Sequence, residues 1–329
     1  MKSVTVAVPV LNGGERFLAL LAALGEQRNA ADVELETLIV DSGSSDGSVE
    51  AARAAGARVI EIDKSEFQHG RTRNMAVREA KGDVVALLTD DAVPATPHWL
   101  DAIVEGFKLA GDVALVFGPQ LPLPEHPHFV RREMLDHFRT WDAHGAPHLH
   151  RMPEGPEGRA EYDANQGYYS FFSDANGAVA KWAWEDHRYR EVPYAEDQLI
   201  GREMIEAGFA KVFHPDAAVM HSHSYGPFAS LQRYFDDYRG LLEVLGYRSP
   251  VGLRSGARTT IGLTRQDRAF LRGEGIGGFA MFAATFASLR HHTLRVTAEW
   301  LAARADRLPV WLTRRLSLEG RGGVVSHQL

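Results

Sequence analysis

The chain has 329 residues, 45% hydrophobic and 24% charged, which suits one large α/β domain with a smaller appendage. A formal net charge of −7 argues against nucleic acid as a partner. With no cysteine, disulfides, thiolate metal sites and cysteine nucleophiles are excluded.

The N-terminus enters a strand pattern directly, without the apolar stretch and cleavage site of a secretory signal. The most apolar later window, residues 275–289, is shorter than the roughly 18 to 20 residues a spanning helix needs. The expectation is a cytoplasmic protein. Val4, Val6 and Val8 predict a first strand that stops at Pro9. Phe17, Leu20, Leu21 and Leu24 predict a helix closed by Gly25, and residues 35–40 a second strand. Ser44, Ser45 and Asp46 are suited to cap an alanine-rich helix ending near Gly56. A strand over residues 58–62, a helix over 71–80 and a strand over 83–88 follow. Strands joined by helices predict an α/β fold with a mainly parallel sheet covered on both faces.

Residues 119–167 are rich in Pro, His, Gly and charge, and residues 152–158 read as an exposed loop. Pattern returns at residues 168–172, then with a helix over 196–207 closed by Gly208 and a short strand at 211–213. Val219 to His223 alternates like a strand, which would put His221 and His223 on one face. The other histidines, His144, His148 and His150 among them, read as surface or loop residues rather than a metal cluster. From Phe228 onward only helices are expected.

In an open parallel sheet, ligands bind beyond the carboxyl ends of the strands. The unusual polar residues fall there in four successive loops: Asn12-Gly13-Gly14, Asp41 to Gly47, Glu66 to Asn74, and Thr89-Asp90-Asp91. Asp90-Asp91 offers hard oxygen ligands for Mg²⁺ or Mn²⁺. Arg71 and Arg73, with nearby backbone amides, suit phosphate oxygens. Taken singly, each has a plainer reading as a turn, a sheet-edge acid or a solvated helix face. Acids and arginines converging on one edge suit a metal-bridged diphosphate.

These segments resemble the inverting family 2 glycosyltransferases with the GT-A (Rossmann-like) fold, and among them the bacterial rhamnosyltransferases of cell-surface polysaccharide synthesis. The resemblance runs through Val8-Pro9-Val10-Leu11-Asn12, Val40-Asp41-Ser42-Gly43-Ser44-Ser45-Asp46-Gly47, His69-Gly70-Arg71-Thr72-Arg73-Asn74, Leu88-Thr89-Asp90-Asp91, Ala195-Glu196-Asp197 and His221-Ser222-His223. It implies a catalytic domain over residues 1–226, with a nucleotide-sugar half to about 118 and an acceptor half beyond, and a helical region over 227–329. By the same resemblance Asp41 meets the base, Asn12 lies near the nucleotide and Arg73 near the diphosphate. Pro9, Gly70 and Asp90 are counted with these contacts. Asp91 binds metal with His221 or His223, and Asp197 is the catalytic base. With an ordinary carboxylate pKa of about 3.9 that base is weak, so its proton transfer would accompany bond formation. The implied partners are a nucleotide-diphosphate sugar, with dTDP-L-rhamnose suggested by His69 to Asn74, and a glycan or lipid-linked acceptor. A nucleotidyltransferase would want a basic phosphate loop where Leu11-Asn12-Gly13-Gly14-Glu15 stands, and an NAD enzyme a Gly-x-Gly-x-x-Gly. A non-catalytic nucleotide-sugar-binding protein is opposed by Asp91 and Asp197.

In the C-terminal region, Leu231, Tyr234, Phe235, Tyr238, Leu241 and Leu242 recur at helical spacing, as do Phe279, Phe282, Phe286 and Leu289. The plainer expectation is that both faces pack on the catalytic domain or form a homodimer. The sharper one is peripheral attachment to the inner face of the cell membrane, helped by Arg290, Arg295, Arg304, Arg307, Arg314 and Arg315.

Overall fold

The structure, a computed structural model, describes residues 2–30, 32–142 and 145–320, so His144 lies outside the described residues. Its first half alternates as expected: β1 (Ser3–Val10), α1 (Gly14–Gly25), β2 (Glu34–Asp41), α2 (Ser48–Ala54), β3 (Arg58–Glu61), α3 (His69–Glu79) and β4 (Val84–Leu88). Then come β5 (Val93–Pro94), α4 (Trp99–Lys108), β6 (Val113–Phe117), β7 (Gln120–Leu121), α5 (His128–Arg139) and β8 (His148–His150). These are followed by α6 (Gly155–Ala164), α7 (Gln166–Ser170), β9 (Asn176–Ala180), α8 (Lys181–Trp184), α9 (Glu196–Glu206), β10 (Ala210–Phe213) and β11 (Val219–Met220). The last elements are helical: α10 (Pro227–Leu245), α11 (Leu253–Gly273), α12 (Gly278–Ala302) and α13 (Val310–Leu316).

The eight-stranded sheet has the order β3-β2-β1-β4-β9-β6-β10-β8. β3, β2, β1 and β4 are mutually parallel, as are β6 and β10, while β9 runs antiparallel between β4 and β6. β1 does not stop at Pro9. It is paired with β4 only over residues 4–7, so at Pro9 it has β2 alone as a neighbour, where a residue without an N–H is tolerated. β6 and β9 have no alternation to reveal them, because all their residues are buried and the period of two vanishes. Phe17, Leu20, Leu21 and Leu24 of α1 pack into the same core as Val6, Val8 and Trp99.

Two expectations for the middle of the chain need correction. Residues 152–158 are not wholly a loop, since α6 begins at Gly155. Pro156 sits in its first turn, where a missing N–H costs nothing, and Gly158 packs so tightly that a Cβ there would lie 2.5 Å from the Pro153 carbonyl carbon. Nor are the remaining histidines all surface residues: His150, His214, His291 and His292 are buried. Burial holds His150 neutral, its pKa pulled down to about 3.

The chain divides into two compact units, Met1–Pro122 with His137–His221, and Leu123–Asp136 with Ser222–Leu329. In the second, Phe235 of α10 packs with Ala298 and Ala302 of α12 and Leu316 of α13, flanked by Leu231, Tyr234 and Tyr238. The α10 face is therefore core of this unit. Residues 123–136 join it through a buried polar pair, Arg132 Nε donating to Asp267 Oδ1 at 2.5 Å, and a partly buried one, Arg295 Nη1 donating to Glu133 Oε1 at 2.6 Å. Among the described residues no helix is long and apolar enough to cross a membrane.

Candidate active site

The carboxyl ends of β1, β2 and β4 and the segment after β3 surround a pocket of about 280 Å³. Pro9, Val10, Leu11, Ser42, Lys64, Phe67, His69, Arg73, Thr89 and Asp90 line it. At the end of β2, Asp41 is 2% exposed, and its Oδ1 accepts the N–H groups of Gly43 at 2.9 Å and Ser44 at 3.0 Å. Its Oδ2 is buried with no hydrogen-bond partner. A buried acceptor left so costs about 1–3 kcal/mol, which a ligand N–H would recover. Asn12, in the left-handed region at φ +53°, clamps the first two loops together. Its Oδ1 accepts from Ser45 N–H at 2.8 Å while its own N–H donates to Ser44 Oγ at 2.8 Å. Asn12 thus shapes the rim, with its carbonyl oxygen already engaged.

The two arginines differ. Arg71 is half exposed and pairs with Glu191 at 2.6 Å, a surface contact. Arg73 is buried, with Nε 2.6 Å from Asp174 Oδ2 and Nη1 2.5 Å from Glu196 Oε1. It lines the pocket, yet its charge is spent on two carboxylates. Lys64, which no sequence motif marks, is a second cation on that wall. Gly70 serves a close approach: a Cβ would meet the Arg190 carbonyl oxygen at 2.3 Å. Gly70→Ala is expected to destabilise the fold by about 1–3 kcal/mol, because a backbone atom must shift. A thermal melt checks this; an unchanged melting temperature with weakened nucleotide binding would instead mean that Gly70 makes room for ligand.

Beside the pocket, burial and the neighbouring Asp91 push Asp90 up to about 6. Asp91 Oδ1 lies 3.4 Å from His221 Nε2. The three-stranded sheet β5-β11-β7 sets this up, with His221 N–H donating to Leu121 O at 3.0 Å and the imidazole beside Gln120. Gln120 Nε2 donates to Ser173 Oγ at 2.9 Å, which turns its Oε1 to His221 Nδ1 at 2.8 Å. The other ring nitrogen, Nε2, is thereby turned toward the Asp91 carboxylate. An imidazole nitrogen and a carboxylate oxygen so disposed form a donor set that fits a divalent cation. The expected strand alternation does not reach this far, since β11 ends at Met220. His221 is buried and His223 exposed, the latter 5.7 Å from the Tyr225 ring at the start of the second unit.

The third group gathers at the start of α9. Ala195 takes the left-handed conformation at φ +57°, and Glu196 and Asp197 follow in the first turn. Tyr189 O–H donates to Asp174 Oδ1 at 2.7 Å, while Asp174 and Glu196 share the Arg73 guanidinium and Asp197 adds its charge nearby. Burial raises Asp174 to about 6 against the pull of Arg73. Burial, then Glu196 and Asp174, raise Asp197 well above the ordinary carboxylate range. Asp197 is therefore a stronger base than the sequence implies. Asp174, Tyr189 and Gln120 were not singled out in the sequence. Each is one polar residue in an unremarkable stretch, and only the fold brings it to its partner.

A partly parallel sheet with a pocket beyond its strand ends, acids at one strand end and carboxylates at a helix start matches the GT-A arrangement that the sequence led one to expect. Residues 5–153 match the model of glycosyl transferase family 2. The chain is 31% identical over 245 residues to the O-antigen chain rhamnosyltransferase WbaN of Salmonella anatum, covering 72% of this chain and 71% of that one. It is 28% identical over 237 residues to the O-antigen chain rhamnosyltransferase RfbN of Salmonella typhimurium, covering 71% and 70%. The chain belongs to the family 2 glycosyltransferases. Among solved structures, the mannosyltransferase PcManGT from Pyrobaculum calidifontis, in complex with GDP-Man and Mn²⁺, superposes with a TM-score of 0.58 at 18% identity, over 92% of this chain and 86% of that one. TarS 1–349 of S. aureus gives a TM-score of 0.52 at 15% identity, over 92% and 91%. At these identities the likeness is one of fold.

Proposed function

We propose that the enzyme transfers L-rhamnose from dTDP-L-rhamnose to a hydroxyl of a glycan or lipid-linked acceptor, with inversion and with a divalent metal. The rhamnosyl reading is carried by the two O-antigen rhamnosyltransferases, each matched over about 70% of its length. The buried Asp41 Oδ2, lacking a donor, would accept from an N–H of the base. Asp91 and His221 would hold Mg²⁺ or Mn²⁺, with His223 the further imidazole that the sequence offers. When bound, such an ion offsets the charge that grows on the departing diphosphate.

The remaining work falls to the chain. The pocket wall of Pro9, Val10, Leu11 and Phe67 excludes water from the donor. Asp197 takes the proton of the attacking hydroxyl, and its raised pKa matches that task near neutrality. The hydroxyl oxygen bonds to the anomeric carbon as the bond to the diphosphate oxygen breaks on the opposite face, which inverts the configuration. Calorimetric titration tests donor and metal together. We expect dTDP-L-rhamnose to bind at least tenfold more tightly than UDP-glucose or GDP-mannose, and only with Mn²⁺ or Mg²⁺ present. Asp91→Ala should lose most of the metal dependence. A preference for a UDP- or GDP-sugar would refute the donor, and metal-independent binding by the wild type would refute the metal.

A further inference from the structure

The helical unit carries an exposed apolar surface. On α12, Phe279, Phe282 and Phe286 are 84%, 71% and 65% exposed, and Leu289 is exposed beside them. Their spacing of three and four residues puts them on one helix face. A contiguous run of exposed phenylalanines is costly unless something covers it. On α11, the exposed residues Arg254, Arg258, Arg265 and Arg272 follow intervals of four, seven and seven, which also define one face. An apolar groove of about 540 Å³ lies between α11 and α12. Ile261, within the arginine stripe, lines one wall; Leu289 and Thr293, which continue the phenylalanine stripe, line the other. Both stripes therefore open to the same side of the α11–α12 pair.

Charge identifies what covers that side. The whole chain carries −7, yet residues 253–302 hold seven arginines against three acids, Asp267, Glu274 and Glu299. Those acids are engaged inside the unit, by Arg132, Arg131 and Ser249 respectively. A second copy of the chain docked face to face would set arginines against arginines. An anionic bilayer answers both stripes, taking phenylalanines at the boundary between headgroups and acyl chains and arginines on phosphate. We propose that this face of the α11–α12 pair docks on an anionic lipid surface. The basic partners proposed for the phenylalanines are thus those of α11; of the arginines the sequence offered, Arg290, Arg295, Arg304, Arg307, Arg314 and Arg315, Arg295 is committed to Glu133. No described helix can cross a membrane, so the contact is interfacial. It does not depend on which sugar the enzyme transfers.

The test is flotation of the full chain with vesicles of phosphatidylcholine alone or with added phosphatidylglycerol. We expect partitioning about tenfold stronger to the anionic vesicles, weakened by salt. Changing Phe279, Phe282 and Phe286 together to Ser should lower it about tenfold, and changing the four α11 arginines to Gln should remove the salt sensitivity. All seven side chains are exposed, and circular dichroism verifies that the variants fold. Equal partitioning to neutral and anionic vesicles, or unchanged binding by the phenylalanine variant, overturns the proposal. So does sedimentation showing a dimer that the phenylalanine variant abolishes while the wild type leaves anionic vesicles unbound.

Discussion

Asp197→Asn is expected to lower kcat between about a hundredfold and ten-thousandfold while leaving the donor Kd within about threefold. The amide keeps the shape of the carboxylate and loses its ability to accept the proton. The pocket proposed to hold the donor is lined by other residues, so binding should survive. The wild-type pH profile gives an independent reading. Burial and two neighbouring carboxylates raise the Asp197 pKa, so kcat/KM should fall on acidification through a midpoint above the usual carboxylate range. The variant's residual rate should lack that limb. Retention of a tenth of the wild-type kcat, or a wild-type profile flat down to about pH 5, would remove Asp197 from the base role.

Much of this site was legible in the sequence because the parallel half of the sheet does geometric work that needs no side-chain detail. Once β1, β2, β3 and β4 are parallel neighbours, the loops after them must lie along one edge, and the polar residues there must meet. The antiparallel insertion of β9 was not legible, because a fully buried strand such as Asn176–Ala180 has no polar face to betray it. Electrostatic environment was not legible either. From sequence alone Asp197 has an ordinary acidity; only burial beside Glu196 and Asp174 raises its pKa. Glu196, which joins that cluster, comes from a helix start 123 residues from Arg73. Nothing local to the His69 to Asn74 segment announces that its second arginine is claimed before any phosphate arrives.

That arginine provides the other large effect. Arg73→Met should destabilise the first unit by about 3–5 kcal/mol near pH 8, because Asp174 and Glu196 lose a buried counter-charge that no solvent replaces. For a unit of this size the melting temperature should fall by roughly 10 °C. The pH dependence has a defined sign. Asp174 is raised in the folded protein, to about 6, so its protonated form favours folding. That contribution is full below the ordinary carboxylate pKa and is lost as pH rises through the folded value. Arg73 pulls this carboxyl down. Without it the folded value climbs further, and Asp174 stays protonated to higher pH. The deficit of Arg73→Met should therefore shrink on moving from about pH 8 to about pH 5. Adding Asp174→Asn to Arg73→Met should recover part of the loss at the higher pH, since it removes one of the stranded charges. Thermal melts of the wild type, the single variant and the double variant at both pH values make the comparison. If Arg73 instead served mainly as a diphosphate ligand, as its motif implies, the single variant would melt within about 2 °C of the wild type and lose only donor affinity.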